Sequence, residues 1–518
     1  MRRRKQYQFL RSVLVGLLAG VIAVLFAKFL NTSEILRNRF ILSINENPCK
    51  WILVPFTCGL AGVLSNYITV KYSPEAAGSG IPHVKGVLHN IRTISTRILP
   101  VKFIGGVIAI GAGFSLGREG PTVQMGAVAG SLINKYLKVP VKLHKHLIAA
   151  GAGAGLAAAF NAPLAGFIFV LEELQHELSP LTYGTALIAA VSADVVTRLF
   201  SGQMAVFDII SSPIPSLNQL PVIIILGIFC GLIGTLFNKC LIWAVKKTDL
   251  IKIKHRWFIA GVVGCIIGIA ILLFPAATGG GHNTLEMLFN SRLNPLIDLS
   301  IVKMDPLTFL IILLIAKFLL TQISYISGVP GGIFAPLLVI GGVSGYALGL
   351  IGQTVAPGYV MSPSFLAMIG MSAMFSAIVR SPLTGVLLIL EMTANYGLLF
   401  ALIVASLIAY LVADQLGTKP IYDALLDYDI QKKGFQKKET SDELIMIQMV
   451  IEPRSIMDGK QIKDLRLPDG CLLTTISRHG KEYIPKGKTR LRHGDNLTML
   501  TNGDGKIVSE LKAMTNAG

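Results

Sequence analysis

Charge is scarce in this chain of 518 residues: 15% of them are Asp, Glu, Lys or Arg, while 52% are hydrophobic. A soluble domain carries about 25% charged residues, so a wholly aqueous fold is excluded over most of the length. Acids are scarcer still, 29 against 47 Lys and Arg, for a formal net charge of +18. That excess could suit nucleic acid, yet the chain has no nucleic-acid motif. The basic residues instead gather at the ends of apolar segments: Arg2, Arg3, Arg4 and Lys5, then Lys246, Lys247, Lys252, Lys254 and Arg256, then Lys432, Lys433, Lys437 and Lys438. Positive residues beside apolar spans mark cytoplasmic faces. Cysteines are few, and the six (Cys49, Cys58, Cys230, Cys240, Cys265, Cys471) show neither CxxC nor metal-ligand spacing. Zinc-protease and nucleophile-elbow motifs are missing too. Gly487-Lys488-Thr489 matches the end of a phosphate loop, but Glu482 stands where that loop needs its earlier glycine. The residues therefore argue against an enzyme or nucleotide-driven pump, and call for no metal or cofactor.

What is abundant is apolar sequence broken by glycine and proline. Runs over Leu10–Leu30 and Trp51–Val70 can each span a bilayer, which takes about 20 residues. The first follows a basic start and lacks a small-residue cleavage site, so an uncleaved membrane helix is expected. Glu75–Pro82 is a glycine-rich break with the Ser79 hydroxyl at its centre. Val101–Phe114 then leads to Gly117-Arg118-Glu119-Gly120-Pro121, after which a helical run begins. Glycine followed by proline at the first helical position reads as a helix start. Such a start leaves N–H groups unpaired and attracts anions. At membrane depth irregular backbone survives only in protein or beside a cavity, so an ionisable residue there is a candidate ion site.

The second half repeats the first. Gly117, Pro121, Gly126 and Gly130 match Gly332, Pro336, Gly341 and Gly345. Gly151, Ala154, Ala158, Pro163, Leu164, Gly166, Leu171 and Glu172 match Gly370, Ala373, Ala377, Pro382, Leu383, Gly385, Leu390 and Glu391. More weakly, Gly78 and Gly80 match Gly279 and Gly281, with Gly280 in the place of Ser79. Paired, interrupted segments of this kind mark transporters whose half-helices meet near the bilayer midplane. The two breaks expected to meet are Arg118–Pro121 and Gly331–Pro336, both helix starts and therefore suited to an anion.

These motifs resemble the CLC family of chloride channels and proton-coupled chloride transporters, through Gly78-Ser79-Gly80-Ile81-Pro82, Gly117-Arg118-Glu119-Gly120-Pro121, Gly332-Ile333-Phe334-Ala335-Pro336 and Tyr422 in Lys419-Pro420-Ile421-Tyr422. The resemblance covers roughly residues 10 to 425. It implies an all-α polytopic membrane fold with two inverted-topology repeats, about 10–200 and 220–415, whose broken helices meet at a midplane anion site. It also implies a homodimer in the cell membrane, with both termini cytoplasmic and chloride as substrate rather than any cofactor. By resemblance, Ser79 and Tyr422 donate hydroxyls to a central anion, with Gly80 and Ile81 beside it. The N–H groups of Ile333 and Phe334 complete that site, and those around Arg118, Glu119 and Gly120 form an outer one. Glu119 is implied as the gating glutamate and Glu173 as the inner proton-transfer glutamate. A glutamate at Glu173 implies exchange of chloride for protons; the alternative is a passive chloride channel gated at Glu119. Glu172 divides between a functional and a structural role shared with Glu391. His83, His89 and His176 are given no task.

From Asp427 the composition turns polar and charged, with a linker over 426–443 and a small module over 444–518. Strands are expected at Leu444–Ile451, Leu472–Ser477 and Leu497–Thr501, and a last helix near Ile507–Met514. Gly459-Lys460, Leu465-Arg466-Leu467-Pro468, Ile484-Pro485 and Gly494-Asp495 resemble the RCK C-terminal (TrkA-C) regulatory domain. That resemblance implies dimerisation and a small cytoplasmic ligand, or else a purely structural clamp.

Overall fold

The computed structural model describes residues 2–45, 50–175, 179–202, 206–207, 215–251, 256–298, 304–357, 360–432, 445–453, 455–478 and 481–501, with a few more near 507–515. His176, Lys252, Lys254, Lys433, Lys437, Lys438, most of the linker and parts of the expected last helix lie outside the described residues. The chain divides into two compact units, 1–426 and 427–518.

The first unit is helical. Its first half runs α1 (Arg2–Asn45), α2 (Leu53–Tyr72), α3 (Ile81–Leu88), α4 (Ile98–Gly111), α5 (Glu119–Tyr136), α6 (His144–Phe160), α7 (Pro163–Phe169) and α8 (Pro180–Ser201). The second runs α9 (Leu220–Asp249), α10 (Arg256–Leu273), α11 (His282–Phe289), α12 (Leu293–Asp298), α13 (Pro306–Ile326), α14 (Phe334–Val355), α15 (Pro363–Val379), α16 (Pro382–Thr393) and α17 (Leu399–Gln415), and α18 (Ile421–Lys432) follows. Among the described residues, eight helical segments are long and apolar enough to cross a membrane.

The glycine repeat has a packing cause. A Cβ on Gly126 of α5 would lie 2.1 Å from the carbonyl oxygen of Gly151 in α6, and one on Gly341 of α14 would lie 2.3 Å from that of Gly370 in α15. Without side chains there, two backbones come into direct contact, as small residues allow in lipid. Both second partners then end alike. Asn161 closes α6 and Arg380 closes α15 in left-handed conformation, with φ of 55° and 71°, each two residues before a proline that starts the next helix.

Pairing between the halves shows their symmetry. Gly117 and its counterpart Gly332 exchange both backbone hydrogen bonds, at 2.6 and 2.8 Å, in an antiparallel bridge. An element that pairs antiparallel with its own equivalent requires a local two-fold relation, so the repeats are inverted. α5 starts at Glu119, two residues earlier than the proline suggests; Pro121 sits in the first turn, where its missing N–H is harmless.

The second unit holds a four-stranded antiparallel sheet, β1 (Ile445–Val450), β2 (Cys471–Arg478), β3 (Lys481–Tyr483) and β4 (Asn496–Thr501), in the order β1-β4-β2-β3. Burial alternates along β4, and Leu497 and Met499 pack with Met449, Leu473, Ile476 and Leu491. β3 was not expected from the sequence; three residues are too few for a readable period-two pattern.

Candidate functional site

Three irregular loops and one helix start converge inside the first unit. Gly78 donates its N–H to Val329 O at 3.1 Å and accepts from Gly331 N–H at 3.0 Å, while Gly117 pairs with Gly332. The breaks before α3, α5 and α14 are thus knitted together by backbone, and Tyr422 enters from the first turn of α18. Gly80 makes the approach possible: its φ of 85° is open to glycine, and a Cβ there would lie 2.2 Å from the Gln124 carboxamide oxygen. Gly120 comes equally close, since its Cβ would lie 2.5 Å from Ser79 Oγ.

The side chains brought together are polar and short of partners. Ser79, Ile81, Ile333, Phe334 and Tyr422 are fully buried and Glu119 nearly so. Ser79 Oγ, Tyr422 Oη and Glu119 Oε2 have no protein hydrogen-bond partner, and Ser79 and Tyr422 lie within each other's reach. An unsatisfied buried polar atom costs about 1–3 kcal/mol, so three in one place fit a site that solvates an ion. The Glu119 carboxylate lies against the N–H of Ala335 in the first turn of α14, besides its own N–H. It therefore sits where the N-termini of α5 and α14 point at one another, a place with partial positive charge from both. Phe334 is held by Phe375 and Phe160 at centroid distances of 4.6 and 5.4 Å, which fixes the first turn of α14. The Arg118 guanidinium turns aside and donates to Ala159 O at 3.2 Å.

A cavity of about 390 Å³ opens above Glu119, lined also by Gly117, Arg118, Ala335, Lys28 and His282. His282 stacks on Phe207 at 4.7 Å. Tyr422 lies within electrostatic reach of both Glu119 and Glu173. Glu173 lies in a π-helical turn, Val170–Gln175, after α7; such turns recur at functional sites. It accepts from Lys85 Nζ at 2.8 Å and from Ser381 Oγ at 2.9 Å.

Glu172 points elsewhere. It caps α16, accepting from the N–H groups of Leu383 and Thr384 at 3.1 and 2.7 Å, while Glu391 caps α7 through Leu164 and Ala165 at 3.0 and 2.8 Å. The geometry favours the structural reading of this pair. His83 lies 3.4 Å from the Gln124 carboxamide.

Sequence reasoning missed four side chains. Lys102 donates to Ala76 O and Gly78 O at 3.0 and 2.6 Å, and Lys317 to Ala277 O and Gly279 O at 3.3 and 2.6 Å. Each lysine holds the carbonyls of one glycine loop. A lone lysine inside each of two apolar runs, at matching repeat positions, was the available signal. Lys85 and Asp423, which form an ion pair, gave no such signal.

The family model described as Voltage gated chloride channel matches residues 61–414, and the TrkA-C domain model matches residues 446–512. The H(+)/Cl(-) exchange transporter ClcA of Vibrio cholerae serotype O1 is 37% identical over 439 residues, covering 83% of this chain and 91% of the relative. The crystal structure of a slow cyanobacterial Cl-/H+ antiporter aligns with a TM-score of 0.77 at 34% identity, over 82% of this chain and 98% of that one. A eukaryotic CLC transporter shares the fold, with a TM-score of 0.68 at 24% identity over 83% and 75% of the two chains. The chain is thus a multi-pass membrane protein that belongs to the voltage-gated chloride channel (CLC) family.

Proposed function

We propose that this protein exchanges chloride for protons across the cell membrane. The observation that carries the reading is the seat of Glu119: its carboxylate rests against the α14 N-terminus, beside two buried hydroxyls without protein partners. A negative side chain and a negative ion suit the same seat. Ionised, Glu119 blocks the path; protonated, it loses its hold on the helix dipoles and gives way to chloride. Ser79, Tyr422 and the N–H groups of Ile333 and Phe334, with Gly80 and Ile81 shaping the loop, then solvate chloride without a full positive charge that would retain it. The N–H groups around Arg118–Gly120 serve an outer site. Glu173 transfers protons to Glu119 from the opposite side of the pore.

The chain is read as a homodimer, 1–425 forming the transport domain and 444–518 a regulatory domain for a small cytoplasmic ligand, with both termini in the cytoplasm. The basic clusters flanking apolar spans support that orientation. Purified protein in liposomes under a chloride gradient should drive protons uphill. Chloride flux with no uphill proton movement would instead identify a passive channel.

A further inference from the structure

Lys85, three residues after Pro82 on α3, is a buried cation shared by two carboxylates. Its side chain is 1% exposed and lies 2.8 Å from Glu173 Oε1 and 2.5 Å from Asp423 Oδ1. The partners differ in surroundings, because the Glu173 side chain is 3% exposed and that of Asp423 is 36% exposed. Asp423 follows Tyr422 on α18, so one turn of helix carries both a pore hydroxyl and the outer end of this ion triad.

The charges of the triad can be followed through a proton cycle. With both carboxylates ionised it carries one net negative charge, and protonating Glu173 brings it to zero. Without Asp423, the same protonation would strand an ammonium in a dry interior, which is strongly unfavourable. Without Lys85, the ionised Glu173 would be stranded instead, next to a like charge. The other groups facing Glu173 are the Ser381 hydroxyl ahead of α16 and Tyr422 on α18, while Glu172 is committed to the α16 N-terminus. α6 and α8 also pack on this turn, but among the described residues neither brings an ion pair to Glu173.

We propose that Lys85 and Asp423 are positioning residues that balance charge around Glu173, Asp423 allowing it to take a proton and Lys85 allowing it to give one up. This rests on the reading of Glu173 as the inner proton-transfer group. The two residues therefore bias proton transfer in opposite directions. The test is chloride-driven proton flux from the full-length protein in liposomes, measured across symmetric pH for wild type, Asp423→Asn, Lys85→Met and the double variant. Asp423→Asn leaves Lys85 to Glu173 alone and should move the flux profile to lower pH by about one unit. Lys85→Met should move it to higher pH by about as much or more. The double variant should fall between wild type and Lys85→Met, and it carries the alkaline arm if Lys85→Met does not fold. Coupled exchange with both profiles unmoved, or moved in the same direction, would overturn the assignment. A wild-type protein that moves no protons uphill would sink the exchange reading itself and this one with it.

Discussion

The two repeats share a scaffold and differ in chemistry. The loop before α3 and the loop before α11 have the same backbone: φ is 59° and 85° at Gly78 and Gly80, against 61° and 84° at Gly279 and Gly281. Each is held by a buried lysine, Lys102 or Lys317, on its middle carbonyls. Each repeat also lends a carboxylate, Glu172 or Glu391, to the other's half-helix. Yet where the first repeat has Ser79, Glu119 and Glu173, the second has Gly280, Phe334 and Met392. The duplicated residues answer to backbone and helix ends, which both halves must satisfy. On the proposed exchange reading, the unmatched ones answer to an ion, which needs them once.

The comparison breaks most readily at the glutamates. Glu119→Gln should keep chloride flux and abolish proton movement, since the amide mimics a protonated gate but cannot exchange a proton; flux assays in liposomes under a chloride gradient decide it, and intact coupling would contradict the assignment. Glu173→Gln should also stop proton movement while sparing anion passage, whereas its counterpart change Met392→Gln should leave coupling in place. A smaller effect is expected at the loops. Ser79→Gly makes the first loop resemble the second and should weaken chloride binding about tenfold, the worth of one hydrogen bond to a charged group. Gly280→Ser should leave affinity unchanged by calorimetry, and a matching gain there would mean the second loop also binds.

Next come the caps. Glu172→Ala and Glu391→Ala each free two backbone N–H groups and should cost about 1–2 kcal/mol of stability. Equal losses in thermal unfolding would support a shared structural role, while loss of proton coupling in Glu172→Ala alone would make Glu172 part of the transport path.

This division also accounts for what could be read in advance. Glycine and proline punctuate locally, so the breaks before α3, α5 and α14 and their repeats were legible from Gly78, Gly117 and Gly332 alone. Ser79, Glu119 and Tyr422 were marked as candidates by the motifs around them, and all three are buried. Glu172 was not decidable, because the N–H groups it caps lie 211 and 212 residues away. The Lys85–Asp423 pair was hidden for the same reason: nothing in either neighbourhood signals a partner across the fold.

The second unit extends the comparison to a carboxylate balanced without repeat symmetry. Burial works against the charge on Asp495, but Arg478 donates to its two oxygens at 2.6 and 2.7 Å and the Arg492 N–H adds a third bond at 2.9 Å. These outweigh burial and hold the carboxyl below its ordinary value. A depressed carboxyl stabilises the fold above its unfolded value, about 3.9, and that contribution is lost as pH falls through the lower folded value. Asp495→Asn should therefore weaken protection of the β2 and β4 amides in hydrogen exchange at pH 7 and leave it little changed once Asp495 is protonated in wild type. About 0.5–1 kcal/mol is expected, because the Arg478 side chain remains 24% exposed and partly hydrated. The cap variants would differ: each side chain meets bare N–H groups at a helix start rather than a cation, so its loss also leaves backbone donors unmet. A larger loss from Asp495→Asn than from Glu172→Ala would reverse that order and make the ion pair, not the helix cap, the stronger device in this chain.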